Sequence, residues 1–206
     1  LHVTTKEEVD FLAMHKKNVT FETTPQHLTL YAPDCYDKLG TYAQMNPPLR
    51  SKDHYDRLWV AIKNNVVDVL GSDHAPHLKI NKDKKYPNTP SGMPGVQTIF
   101  PVMIDHVNNG KLELNQLINL MCENPCKIFG IKNKGFIKEG FDADLTIVDM
   151  DKEVTIKNEM IASKCGWTPF HNYKVKGFPV GTIVNGIFVM SDGKILVESK
   201  GQPLKF

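Results

Sequence analysis

Val66-Val67-Asp68-Val69-Leu70-Gly71-Ser72-Asp73-His74-Ala75-Pro76-His77 is the stretch on which the reading of the whole chain turns. Its first part is an almost unbroken apolar run, the pattern of a strand buried on both faces of a parallel sheet. The run stops in a carboxylate followed by two imidazoles. An unpaired charge at such a place is costly to bury. A bound metal ion removes that cost. So does an Asx turn in which the carboxylate caps its own loop, and spacing alone leaves both open.

Working outward, the same helix-then-strand order recurs. Val9, Leu12 and Ala13 fall at helical spacing within residues 5–17, behind Thr5 and Glu8 placed as a capping box, and Val19-Thr20-Phe21-Glu22-Thr23 follows as a β-branched strand. Residues 51–64 read as a second helix through Tyr55, Leu58, Trp59 and Ile62, and the Val66 strand comes next. Residues 25–50, with Pro25, Pro33, Pro47 and Pro48, read as one long loop. Residues 78–94 read as a polar loop in which Lys79, Lys82, Lys84 and Lys85 either steer an anion or, more simply, belong to a mobile, solvated segment. Helical segments near 95–108 and 113–129 end at Gly130. From Gly135 the texture changes to short β-like runs, Ala143 to Val148, Val154 to Ile156, Ile183 to Met190 and Ile195 to Val197.

This order is that of an α/β protein: a portion of an α/β barrel over residues 1–134, then a β-rich unit over 135–206. A closed (β/α)8 barrel takes roughly 200–250 residues. Only three strand ends are expected before residue 130.

Composition excludes several classes. With 206 residues, 41% hydrophobic, 23% charged and net charge +2, the chain can bury a core and is not a disordered or collagen-like polymer. Acidic and basic residues are interspersed, so no nucleic-acid track or membrane-binding patch is expected. No apolar run approaches the roughly 20 residues of a membrane span, and Leu1-His2-Val3-Thr4-Thr5-Lys6 is no signal peptide, so a cytoplasmic location and a small-molecule partner are expected. The four cysteines form no Cys-x-x-Cys pair; Cys122 and Cys126 are read as small buried hydrophobes.

Barrel enzymes carry their chemistry where strands end, which singles out His2, Thr24-Pro25-Gln26-His27 and Gly71 through His77. Asp at a strand end can bind a metal through one oxygen and exchange a proton with an attacking water through the other. His27 is read as holding a loop by hydrogen bonds, His74 as pointing away from the site, and Arg50 as a solvated residue at a helix entry. His15, His54, His106 and His171 are read as surface or packing residues.

The Gly71 to His77 run, with His2-Val3-Thr4-Thr5, Thr24-Pro25-Gln26-His27 and Asn46-Pro47-Pro48-Leu49-Arg50, resembles the C-terminal half of the dihydroorotases of the amidohydrolase superfamily. The motifs keep the family's order. The resemblance extends through Gly135-Phe136-Ile137 and Gly140-Phe141-Asp142-Ala143-Asp144-Leu145, where such enzymes leave the barrel for a small β-sandwich, and so covers essentially all 206 residues. It implies the end of strand 6 through strand 8 of a (β/α)8 TIM-like barrel, followed by part of that sandwich.

For the site, the resemblance implies that His2 and Asp73 bind zinc and that Asp73 is also the general acid and base. His77 would meet the α-carboxylate of the substrate, and Asn46 with the backbone of Ser91-Gly92 would meet its ring-forming part. The implied reaction is the reversible cyclisation of N-carbamoyl-L-aspartate to L-dihydroorotate, a step of pyrimidine biosynthesis.

The family's His-x-His-x-Arg motif of strand 1, its strand 4 Lys or Asp and its strand 5 His have no counterpart in these residues. Two ligands remain where catalytic zinc usually has three. The expectation is therefore the C-terminal part of a longer polypeptide, inactive alone and partnered by the N-terminal remainder of the same protein, with a homodimer also compatible. By itself it would expose apolar faces and an open sheet edge. Two other readings compete. A related hydantoinase, dihydropyrimidinase or allantoinase would differ at the carboxylate contact of His77. A non-catalytic dihydroorotase-like subunit supporting aspartate transcarbamoylase would have no need of both His2 and Asp73.

Overall fold

The computed structural model describes residues 1–197 and 201–206. It begins with an extended segment that runs beside a short parallel sheet. Val3 N–H donates to the Glu22 carbonyl at 2.8 Å, and helix α1 (Lys6–Met14) follows at once. Thr5 caps α1: its hydroxyl accepts from Glu8 N–H while the Glu8 carboxylate accepts from Thr5 N–H at 3.0 Å, the reciprocal box expected from the sequence.

Strand β1 (Glu22–Thr23) is shorter than the apolar run that announces it. The stretch after it is not one loop. Helix α2 (Pro25–Thr29) starts with Pro25 in the first turn, where its missing N–H costs nothing, and Thr24 accepts from His27 N–H as the cap. Helix α3 (Asp34–Leu39) and a 3₁₀ turn over Gly40–Ala43 come next, then α4 (Lys52–Lys63). Prolines placed at helix starts mark boundaries, not the absence of helices.

Strand β2 (Val69–Leu70) pairs in parallel with β1, Glu22 opposite Val69 and Thr23 opposite Leu70. The run is not buried on both faces as expected. Val67 and Leu70 are buried, while Val66, Asp68 and Val69 are half-exposed, and Asp68 is drawn to Lys16 and to the Phe21 N–H.

The basic segment after β2 also differs from expectation. It contains a single helical turn, α5 (Lys79–Lys82), and Lys82 is fully buried, whereas Lys79, Lys84 and Lys85 are exposed as expected.

Helix α6 (Ile99–Asn108) buries residues all round its circumference, from Pro101 to His106, because it is packed on both sides. Helices α7 (Leu114–Ile118) and α8 (Asn124–Phe129) are joined through a π-helical turn at Asn119–Glu123 and stop at Gly130, whose φ of 67° is the left-handed cap. Cys122 on that turn is exposed and Cys126 half-buried, so the expected burial of this pair does not occur; the turn presents its outer side to solvent.

The chain ends in a four-stranded antiparallel sheet ordered β3 (Leu145–Thr155), β4 (Lys174–Val184), β5 (Ile187–Ser191), β6 (Lys194–Ile195). Two runs read as separate strands from the sequence are one strand, β3, interrupted by a bulge. There the Asp149 carboxylate accepts from Asp151 and Lys152 N–H at 3.0 and 3.1 Å, taking backbone donors that would otherwise join the ladder. The first half of β4 has no clear sequence signal. Of the expected β-rich segment, residues 198–200 lie outside the described residues.

The sheet shares its core with the helices. Val148 and Met150 pack on the cluster formed by Leu58, Ile62, Met103 and Ile104, and Val102 of α6 is buried with Ile156, Phe170 and Val175.

Candidate functional site

The extended segment that bears His2 lies against one edge of β1, and β2, which leads to Asp73, lies against the other. His2 Nε2 lies 3.6 Å from Asp73 Oδ1, although 71 positions of sequence separate them. Both residues have positive φ, 51° for His2 and 40° for Asp73. This conformation is unfavourable for residues with a Cβ and persists where the surrounding fold imposes it, often at functional sites. Their side chains are about one-fifth exposed, at 22% and 23%, so solvent reaches the pair.

Glu22 completes the cluster. Its Oε1 lies 2.8 Å from His2 Nδ1, close enough to pair but off the line of a hydrogen bond, and Nδ1 is buried without another partner. Glu22 fits against the chain at Gly71, where a Cβ would stand 2.8 Å from its Oε2. Two more buried polar atoms nearby in the sequence, Thr23 Oγ1 and Gln26 Oε1, also have no hydrogen-bond partner. Buried polar groups are nearly always satisfied, so such a concentration marks a place built for something other than packing. Gln26 Nε2 donates to the Ser72 carbonyl at 2.9 Å and holds the segment that leads into Asp73.

These residues fit two corners of a metal's coordination shell. Two ligands at about 2.0–2.1 Å from a tetrahedral ion stand roughly 3.4 Å apart, close to the separation observed. A carboxylate behind the other ring nitrogen is the usual companion of a metal-binding His, where it fixes the tautomer and raises basicity. No group of three His, Cys, Asp or Glu side chains able to enclose an ion occurs among the described residues. The donors here therefore make part of a shell, not all of it.

A second cluster lies in the loops that follow. His77 Nε2 is 3.0 Å from the Ser91 carbonyl, which only accepts, so Nε2 carries the proton and Nδ1 is the atom left for a ligand. Gly92, at φ 137°, brings the backbone close: a Cβ there would stand 2.5 Å from that of Ala75 and 3.1 Å from the His77 ring. Gly92 N–H donates to the Gln44 carbonyl at 2.9 Å, and Gln44 Nε2 donates to Ser91 Oγ at 3.1 Å, which ties Ser91-Gly92 to the segment bearing Asn46. Asn46 itself is exposed and makes no side-chain hydrogen bond among the described residues. The structure thus joins His2 with Asp73, and His77 with Ser91 and Gly92, and leaves Asn46 at the edge of the second group.

The other histidines are structural. His27 is 3% exposed, with Nδ1 2.7 Å from the Thr24 hydroxyl and Nε2 3.0 Å from the Pro47 carbonyl, and burial pulls its pKa down to about 4. His74 turns away and accepts at Nδ1 from Gly95 N–H at 3.1 Å. Arg50 Nε donates to Thr4 Oγ1 at 3.3 Å, fastening the segment that carries His2.

Glu22 is not among the residues singled out from the sequence, although its position carries a signal. It is the polar residue at the end of the Val19 to Thr23 strand, the position from which barrel sites draw their groups.

Residues 1–195 match the amidohydrolase family. A dihydroorotase from Pyrococcus furiosus is 40% identical over 202 residues, 98% of this chain and 47% of that protein. Among solved structures, an L-hydantoinase (dihydropyrimidinase) from Arthrobacter aurescens superposes with a TM-score of 0.92 at 35% identity, covering 96% of this chain and 45% of that one. A dihydropyrimidinase from Brevibacillus agri gives 0.88 at 30% identity, with 95% and 45% covered. The chain spans about half the length of the relatives it matches.

Proposed function

Because the chain belongs to the amidohydrolase family, we propose that it forms one part of a zinc-dependent cyclic amide hydrolase, a dihydroorotase interconverting N-carbamoyl-L-aspartate and L-dihydroorotate in pyrimidine biosynthesis. The observation that carries the proposal is the approach of His2 to Asp73, two residues with left-handed backbone on the segments that flank β1 on either side. In this reading residues 1–134 are an arc of a (β/α)8 barrel and 135–206 part of a small β-sandwich.

The chemistry follows from the residues. His2 and Asp73 would hold the zinc together with ligands from outside these residues, and the bound ion would supply polarisation of the amide carbonyl and a more acidic water. Asp73 faces His2 through Oδ1, so Oδ2 takes the proton from the attacking water and returns it to the leaving ring nitrogen. Glu22 keeps the His2 ring oriented. His77, its Nε2 held by Ser91, offers Nδ1 to the substrate's α-carboxylate and must carry its second proton to donate there. The backbone of Ser91-Gly92 and Asn46 position the ring.

A hydantoinase or dihydropyrimidinase is the second reading, favoured by the structural similarity to such enzymes. The two separate on substrate. Purified from its complete reading frame, the protein is expected to contain zinc and to hydrolyse L-dihydroorotate in preference to hydantoin and dihydrouracil. The reverse preference selects the second reading, and absence of both metal and turnover refutes both.

A further inference from the structure

Lys82 has the most unusual environment in the chain: a fully buried lysine whose neighbouring carboxylate is engaged elsewhere. Its Nζ donates to the Gln44 carbonyl at 3.1 Å and to the Pro90 carbonyl at 2.9 Å, and lies 5.7 Å from the centre of the Trp167 ring. Asp83, next in sequence, instead accepts from the Tyr42 hydroxyl at 2.7 Å. Burial alone, with no carboxylate offsetting it, lowers the pKa of Lys82 to about 8. A lysine that served only to fill space would be replaced at lower cost by an apolar side chain of similar volume.

The two carbonyls that hold the ammonium belong to the segments of the second cluster. Gln44 lies two residues before Asn46, and its carbonyl also accepts from Gly92 N–H. Pro90 directly precedes Ser91-Gly92, and the Ser91 carbonyl holds His77. The backbone of Lys82 joins the same network, its carbonyl accepting from the Thr41 hydroxyl at 2.7 Å and the Thr89 hydroxyl at 3.3 Å. Trp167, under the ammonium, donates from Nε1 to the His77 carbonyl at 2.7 Å. One side chain thus links residues 41–46, 77–83 and 89–92.

We propose that Lys82 is a positioning and specificity residue: its buried ammonium fixes His77, Ser91-Gly92 and Asn46 relative to one another and gives that side of the site an uncompensated positive charge that selects a carboxylate-bearing substrate. This rests on the reading of the site as that of a hydrolase acting on an anionic ring. Charge in a desolvated setting acts with little screening, so its influence reaches a bound anion through the intervening carbonyl groups.

Two variants of the protein expressed from its complete reading frame test the proposal. Lys82→Met keeps the stem over Trp167 and loses both charge and donors; Lys82→Gln loses the charge and keeps an N–H donor group on a side chain one atom shorter. Lys82→Met is expected to raise KM for L-dihydroorotate about tenfold or more while kcat falls less than about threefold, since binding and not bond-making is affected. Lys82→Gln is expected to recover part of that loss, the remainder reporting the charge itself. A KM within about twofold of wild type in both variants, or a loss of melting temperature without a change in KM, overturns the proposal. If Lys82→Met does not fold, Lys82→Gln carries the same comparison. Calorimetric binding of orotate, an unreactive carboxylate-bearing ring, separates the two levels of inference. Wild type without turnover but with orotate affinity that drops in the variants refutes the dihydroorotase reading and supports the role of Lys82; turnover with unchanged affinity does the opposite.

Discussion

Glu22 acts at the scale of a single contact: its carboxylate sits 2.8 Å from the ring nitrogen of His2 that does not face Asp73. Partners of this kind commonly contribute 10–100-fold to metal affinity. Glu22→Gln is accordingly expected to weaken zinc binding by about that factor, measured by competition with a chelator, with little change in melting temperature. Gly71→Ala is expected to act in the same direction, because its new Cβ would stand 2.8 Å from Glu22 Oε2 and push the carboxylate off the ring. Unchanged affinity in both would show that Glu22 does not support His2. Glu22 could have been found from its place at a strand end; its contact with His2 could not, since nothing local ties residue 22 to residue 2.

Among the elements, α2 is the link. His27 binds it to the Pro47 carbonyl, and at its far end Thr29 Oγ1 lies 2.9 Å from His106 Nε2 on α6, whose ring meets Trp59 of α4 edge-on at 4.9 Å. Burial lowers the pKa of His27 to about 4 and that of His106 to about 3, from an ordinary 6.5. Between those values the unfolded chain binds more protons than the folded one, so stability rises with pH across the window and is lost as pH falls from about 6.5 toward 4. At 1.36 kcal/mol per unit the stability lost on acidification is of the order of 3 kcal/mol for His27 and about 5 kcal/mol for His106. Urea unfolding is expected to give a clearly lower free energy at pH 5 than at pH 7.5, and His27→Gln with His106→Gln to flatten that slope. Equal stability at both pH values in the unsubstituted protein contradicts this account. Capping and spacing in the sequence show where α1 and α4 lie, whereas α2 and α3 are hidden because proline signals a helix start and a loop alike. Pro25 starts a helix because the Thr24 hydroxyl before it accepts from His27 N–H as the cap.

The whole molecule is held together where α6 meets the antiparallel sheet. Asn108 Nδ2 donates to the Met150 and Lys176 carbonyls at 3.0 and 2.7 Å, and Lys176 N–H donates to Asp105 Oδ1 at 2.9 Å. Gly177, at φ 94°, has no room for a side chain: a Cβ would stand 2.1 Å from Ile104 Cγ2. With this shared core, helical and sheet signals are expected to be lost in one transition, and Gly177→Ala to lower the midpoint of both together by several degrees. Loss of the sheet signal alone in Gly177→Ala would show that residues 135–206 unfold as a separate unit. Among the described residues no helix is long and apolar enough to cross a membrane.

The sequence by itself determined the alternation of helices and strands, the Thr5/Glu8 cap and the Gly130 stop, and singled out His2 and Asp73 as residues at strand ends. Each depends on interactions within a few positions or on a strand-end rule that periodicity exposes. Only the tertiary structure decided that His2 meets Asp73 at 3.6 Å, that Glu22 stands behind it, and that Lys82 is buried while Lys79, Lys84 and Lys85 are not. Those outcomes depend on which distant segments pack together, and a lysine's burial is set by the carbonyls and ring that surround it, not by its neighbours in the chain.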